Sequence, residues 1–236
     1  MHRLSPRRVS LTAPRALRVT LAALIYLTAG LSSAQTPQPS GVLDSASGAA
    51  TLSSWHRLIE HGSSLDEHAK LEAVNRFINR AVTYGEDRDV WGAEEFWATP
   101  AQTLGRGMGD CEDFAIAKYF SLVRMGVASA KLRLTFVKSL SRNRAHMVLA
   151  YYPSDSAQPL LLDNLDPRIQ PASQRNDLLP VYAFNNHGIF LAKAPLQKST
   201  QPPQLLSRWS DVSARALVDG SQAPAEQTLA TLSTPG

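Results

Sequence analysis

The chain has 236 residues, with 24 Lys+Arg against 20 Asp+Glu, a formal net charge of +4 and a single cysteine. That length suits one domain of ordinary size or two small ones. The first 18 residues hold five arginines and no acid, so the rest of the chain has 19 basic and 20 acidic residues. The mature part is therefore near neutral, which excludes a basic nucleic-acid surface, and one cysteine excludes an internal disulfide.

The basic start is followed by an uncharged run, "VTLAALIYLTAGL", and then by the small residues Ser32, Ser33 and Ala34. This is the order of a secretory signal, so residues 1–34 are expected to be a signal peptide that directs export to the periplasm. The run is short for a membrane span, which ranks a cleaved leader above a retained anchor. Arg7-Arg8 leaves general and twin-arginine export both open. Residues 35–50, "QTPQPSGVLDSASGAA", are small, polar and rich in Pro and Gly, the composition of a flexible linker.

The domain is expected over residues 51–217. A short helix over residues 53–62 ends at Gly62. Ser64 and Glu67 have the spacing of a capping box. Leu71, Val74, Ile78 and Ala81 then recur at three- and four-residue steps, predicting an amphipathic helix over residues 65–82. Residues 84–106 read as an aromatic, acidic loop. Asp110 is a good N-cap for the next helix, "CEDFAIAKYFSLVRM", which Gly126 should stop. That helix is apolar on most sides, so it belongs in the middle of the domain. Four β-like runs follow, over residues 131–137, 145–152, 159–165 and 188–192, with short polar turns as in an antiparallel sheet. Helices before strands argue an α+β fold. A final helix is predicted over residues 205–217, and residues 218–236 should be a disordered tail.

Several motifs fail on inspection. "GRGMGD" lacks the preceding strand and the Gly-Lys-Ser/Thr of a phosphate loop. Asp87-x-Asp89-x-x-Gly92 starts like an EF-hand, but Ala98 stands where the loop needs a Glu. No zinc-ligand spacing exists.

What remains is Cys111, inside "GDCED". In an oxidising compartment an unpaired thiol is a liability unless it is buried or used. Thiol acyl-transfer chemistry needs a thiolate, an imidazole and an acid to orient the imidazole. Cys111 falls at the first position of its helix, at the positive end of the macrodipole. His146 begins one strand and Asp163 lies near the end of the next, where antiparallel neighbours bring start opposite end. Spacing alone leaves this thiol between packing and catalysis. Three neighbouring carboxylates, Asp110, Glu112 and Asp113, oppose a thiolate unless something neutralises them. His56, His61, His68 and His187 compete with His146, but none has an orienting acid on an adjacent strand.

"FWATPAQTLGRGMGDCEDFAIAKYFSLVRMG", "HMVLAYY", "LLLDNL" and "DLLPVYAFN" together resemble the bacterial transglutaminase-like cysteine proteinases, the LapG-type periplasmic proteases. The resemblance implies a papain/transglutaminase-like two-lobed fold, with a helical N-terminal lobe whose cysteine-bearing helix packs on a C-terminal antiparallel β-sheet. It implies Cys111 as nucleophile, His146 as base and Asp163 as orienting acid. It also implies dependence on Ca²⁺, held by Asp110 and Glu112 with Asp113 as a further ligand and Asp87 and Asp89 as weaker candidates. Trp97 and Gln102 are candidate oxyanion donors beside the backbone N–H of Cys111; Gln102 departs from the acid expected at its position. The implied substrate is the N-terminal region of a large surface adhesin, cut at a di-alanine site to disperse biofilm. The implied inhibitor is the periplasmic domain of an inner-membrane cyclic-di-GMP receptor. Two other readings fit the same scaffold: a non-catalytic calcium-dependent binding module, and a transamidase.

Overall fold

The computed structural model describes residues 46–154, 157–191, 194–198 and 206–221. The expected signal peptide, most of the expected linker and the last fifteen or so positions of the tail lie outside these residues.

The helical part comes first. Helix α1 spans Ala46–Gly62 and α2 spans Glu67–Ala81. α1 begins within the expected linker, seven residues before the predicted start. α2 matches the periodic pattern, and its buried face includes Leu71, Val74 and Ile78. Its N-cap is Asp66, which accepts from Ala69 N at 2.9 Å. Ser64, the predicted cap, donates instead to His61 O. An Asp one residue from the helix satisfies the first free N–H groups directly, so the Ser64–Glu67 box is not used.

The stretch read as loop is structured. Strand β1 (Thr83–Tyr84) pairs in parallel with β2 (Met108–Gly109), and between them lie α3 (Asp87–Val90) and α4 (Pro100–Arg106). α4 opens with a complete capping box: Thr99 accepts from Gln102 N, and Gln102 Oε1 accepts from Thr99 N. Thr-Pro-x-Gln, with Pro at the first helical position, was a legible signal for this helix.

Helix α5 (Cys111–Arg124) is the centre of the molecule, and every residue from Asp113 to Leu122 on it is buried. Asp110 caps it as predicted, accepting from Glu112 N at 3.2 Å and Asp113 N at 3.5 Å. Gly126 stops it as predicted, with Gly126 N bonded to Val123 O and Val127 N to Leu122 O, the paired bonds of a Schellman ending. α2 and α4 pack on one side of α5, and the sheet packs on the other.

Among the described residues the sheet has seven strands in the order β6-β5-β4-β3-β7-β8-β9: β3 (Leu132–Ser139), β4 (Arg144–Tyr151), β5 (Leu160–Leu162), β6 (Gln170–Pro171), β7 (Leu178–Asn185), β8 (Gly188–Leu191) and β9 (Ala194–Lys198). All pairings among them are antiparallel. β7 was not predicted, because Pro180 argues against a central strand. It is tolerated at an irregularity: Phe136 pairs with Tyr182 and Val137 with Pro180, so Val181 is skipped. The face of the sheet toward α5 shares one core with the helices, including Phe120, Ile116, Leu134, Leu149 and Phe184. Each such side chain contributes about 1.5–3 kcal/mol when fully buried.

Helix α6 (Ser207–Val218) returns to the helical side, where Trp209 stacks on Phe120 with ring centres 5.6 Å apart. The first residues of the expected tail are docked. Thr99 Oγ1 donates to Asp219 Oδ2, Arg124 Nη1 to Gly220 O at 2.7 Å and Ala101 N to Ser221 Oγ at 3.1 Å. Ser221 is buried, so the disordered-tail expectation does not hold for residues 218–221.

Candidate active site

Cys111 is the first residue of α5 and is partly exposed. Across from it, β4 carries His146, and the two residues line one small cleft together with Ala145 and Leu165. The pairing Leu149 with Leu162 sets β4 against β5, which brings Asp163, the residue after β5, beside His146. His146 Nε2 lies 2.8 Å from Asp163 Oδ1, with both residues buried. Burial opposes a charge on Asp163. The His146 hydrogen bond, the Leu165 N–H and Arg175 outweigh it and hold the carboxyl at about 2. An ionised Asp163 accepts, so Nε2 carries the hydrogen and Nδ1 is left as the basic nitrogen. The predicted grouping of Cys111, His146 and Asp163 is thus brought together. His56, His61 and His68 are exposed, and His187 bonds Ser129 Oγ at 2.7 Å.

Arg175 was not predicted. Its Nη2 lies 2.8 Å from Asp163 Oδ2, a close ion pair that falls outside good hydrogen-bond geometry, and its Nε and Nη2 grip Asp177 at 2.9 Å. Asn79 Nδ2 also holds the Asp163 carbonyl at 2.8 Å. No sequence pattern marks Arg175, because only the register of the sheet brings it to Asp163.

The carboxylates beside the thiol are arranged in two ways. Asp87, Asp110 and Asp113 offer oxygens that all lie within 4.8 Å of one another. Glu112 lies outside this cluster, and Cys111 donates its S–H to Glu112 Oε2 at 2.8 Å. Of the expected ligands, Asp110 and Asp113 therefore join Asp87 in a cluster, Glu112 contacts the thiol, and Asp89 is exposed on α3. Burial, followed by repulsion from Glu112 and from one another, raises the cluster: Asp110 to about 9 and Asp113 to about 7, with Asp87 at about 6. Burial and the charge of Glu112 push the Cys111 thiol far up.

The donor set suits a hard cation such as Ca²⁺, which takes carboxylate oxygens. Asp87 Oδ2 accepts from Phe96 N at 2.5 Å, while Asp87 Oδ1 is buried with no hydrogen-bond partner among the described residues. Asp113 Oδ1 accepts from Ala98 N at 2.7 Å, which ties the cluster to the segment carrying Trp97. Gly109 makes room: a Cβ there would meet Asp113 Oδ2 at 2.6 Å.

The two oxyanion candidates differ. Gln102 Oε1 is engaged by Thr99 N and by Arg215 Nη1 at 2.6 Å, so the carboxamide serves as a helix cap and interhelical tie. Trp97 stacks on Phe184 with centres 5.8 Å apart, packs with Cys111 against the same core, and keeps a buried Nε1–H with no acceptor among the described residues.

No curated protein sequence matches this chain. Among solved structures, Legionella pneumophila LapG is similar at 38% identity and a TM-score of 0.64, over 72% of this chain and 90% of that one. The calcium-bound form of that protein aligns at 38% identity and a TM-score of 0.66, covering 72% and 92%. The EGTA-treated form gives 38%, 0.66, 72% and 90%. Residues 53–177 match the family model described as bacterial transglutaminase-like cysteine proteinase, a family of cysteine peptidases. The chain belongs to the bacterial transglutaminase-like cysteine proteinases.

Proposed function

We propose that this protein is an exported, calcium-dependent cysteine endopeptidase that works through Cys111, His146 and Asp163. The observation that carries the reading is the buried imidazole–carboxylate pair, 2.8 Å long, in the cleft of a thiol at a helix N-terminus. Cys111 Sγ attacks the scissile carbonyl carbon while its proton passes to His146 Nδ1. The imidazolium, held by Asp163, then protonates the leaving amine, and water hydrolyses the thioester. The backbone N–H of Cys111 and Trp97 Nε1–H are the donors available to the oxyanion.

Asp87, Asp110 and Asp113 would hold calcium, with Glu112 beside them. The bound ion supplies positive charge next to the thiol, offsetting the carboxylates that otherwise keep it protonated. The calcium-bound and EGTA-treated forms of the Legionella protein support this dependence.

Following the family, the substrate is the N-terminal region of a large surface adhesin, cut at a di-alanine site. Its release would disperse biofilm, under restraint by the periplasmic domain of a cyclic-di-GMP receptor. The leader at residues 1–34 supports a periplasmic location. The test is cleavage of a candidate adhesin N-terminus by wild type and Cys111→Ala, each with Ca²⁺ or EGTA, with product masses measured. Hydrolysis by wild type in Ca²⁺ alone is expected. Cleavage by Cys111→Ala would refute the triad, full activity in EGTA the calcium dependence, and amine-adducted products would mark a transamidase.

A further inference from the structure

Asp163 is itself held by a pair of charged side chains that the proposed chemistry leaves unused. Its two oxygens have different partners. Oδ1 accepts from His146 Nε2 at 2.8 Å and from Leu165 N at 3.0 Å. Oδ2 faces Arg175 Nη2 at 2.8 Å. Arg175 in turn forks onto Asp177: Nε donates to Oδ1 and Nη2 to Oδ2, both at 2.9 Å. His146, Asp163, Arg175 and Asp177 therefore form one row of linked side chains, from the cleft to the surface. The first three side chains are at most 5% exposed, and that of Asp177 is 41% exposed.

The backbone fixes the outer end of this row. Arg175 N donates to Ala172 O and Leu178 N to Arg175 O, both at 3.1 Å, and Leu140 N donates to Asp177 O at 2.8 Å. Leu140 directly follows β3, so the Asp177 backbone is tied to the hairpin that leads into β4 and His146. A guanidinium is planar with fixed N–H directions, so two bonds to Asp177 set the plane in which Nη2 meets Asp163. Charge balance alone does not require this arrangement. A lysine would neutralise Asp163 as well, and a buried ion pair adds little net stability. What the fork adds is direction: it engages Oδ2 and leaves Oδ1 for the imidazole.

We infer that Arg175 and Asp177 are positioning residues of the triad. Asp177 sets the plane of Arg175, and Arg175 fixes the rotation of the Asp163 carboxylate. Asp163 thereby keeps His146 in the tautomer whose Nδ1 takes the thiol proton. Both residues act only through Asp163, from outside the cleft of Cys111. This rests on the reading of His146 and Asp163 as catalytic partners.

The test reads the His146 tautomer by ¹⁵N NMR in calcium-containing buffer, at one fixed pH where the ring is neutral, with the ring resonances assigned by their loss in His146→Gln. Arg175→Lys keeps the charge and removes the fork. Asp177→Ala removes the anchor at a half-exposed position, so the outcome does not hang on a buried change alone. Asp166→Ala is the control: it deletes the same charge from the same polar hollow, where Asp166 pairs with Arg168. Arg175→Lys and Asp177→Ala should turn the Nε2–H ring into a mixture of tautomers. They should also lower kcat toward a di-alanine adhesin fragment by roughly 10-fold or more with KM nearly unchanged, since a small displacement of a catalytic group costs that much. Asp166→Ala should leave both readings at the wild-type value. A wild-type tautomer and kcat in folded Arg175→Lys and Asp177→Ala overturn the inference. So does an equal change in Asp166→Ala, which would mark a loss of charge and not of position. Asp163→Asn, read in the same way, separates this from the triad. If it alone changes the tautomer, the positioning pair falls and the triad stands; if it changes nothing, the triad falls and takes the pair with it.

Discussion

Asp163→Asn separates the orienting role of the carboxylate from its role in stability. In the wild type, Asp163 meets His146 Nε2 and Arg175 Nη2 at 2.8 Å and Leu165 N at 3.0 Å. An Asn can accept from one of the first two, but it must turn its NH₂ toward the other donor. The carboxyl sits at about 2 rather than 3.8, and at 1.36 kcal/mol per unit that is roughly 2.5 kcal/mol of native stability. The folded value is depressed, so this contribution is complete above the unfolded value of 3.8 and is lost as pH falls toward 2. Arg175 keeps Asp177 as a partner, so the loss should fall below the ~3–5 kcal/mol of a fully orphaned buried charge. Urea denaturation at neutral pH should therefore find the variant about 2–3 kcal/mol less stable. About half of that gap should remain near pH 3. Activity should fall by roughly 10²–10⁴-fold, since a misoriented tautomer removes the base. A stability gap that is independent of pH, or a variant with near wild-type kcat, would refute the assignment.

Calcium should remove a pH dependence of stability. Without metal, Asp87, Asp113 and Asp110 have folded values raised above their usual 3.8, so their burial costs stability as pH rises through about 6, 7 and 9 respectively. The melting temperature in EGTA should thus decline from about pH 5 to about pH 9, and Ca²⁺ should abolish the decline; matching curves with and without the ion would exclude the cluster as its site. Trp97→Phe removes one N–H while keeping the stacked ring, so kcat should drop by about 10²–10³-fold with little change in KM or stability, and an unchanged kcat removes Trp97 from the oxyanion site. Gly109→Ala drives a Cβ to within 2.6 Å of Asp113 Oδ2, so calcium affinity by calorimetry should weaken while the Schellman end of α5 stays intact; undiminished affinity would show that Asp113 is not a ligand.

Local chemistry determined much of this protein before any packing was seen. The period of Leu71, Val74 and Ile78 marked α2, and Asp110 and Gly126 marked both ends of α5, since caps and amphipathic faces act within a few residues. The same locality put Cys111 at a helix N-terminus and His146 and Asp163 on adjoining strands. Tertiary structure decided what depends on distant contacts. α1 starts at Ala46 despite its glycine, because Gly48 lets the helix close on α4: a Cβ there would meet Gly105 O at 2.4 Å. β7 crosses Pro180 because the sheet absorbs it at an irregularity. Asp87 joins Asp110 and Asp113, and Arg175 joins Asp163, only after the chain has closed on itself. Separations of 23 and 12 residues carry no sequence period, so side chains that meet across them are matched by packing and charge in the folded state.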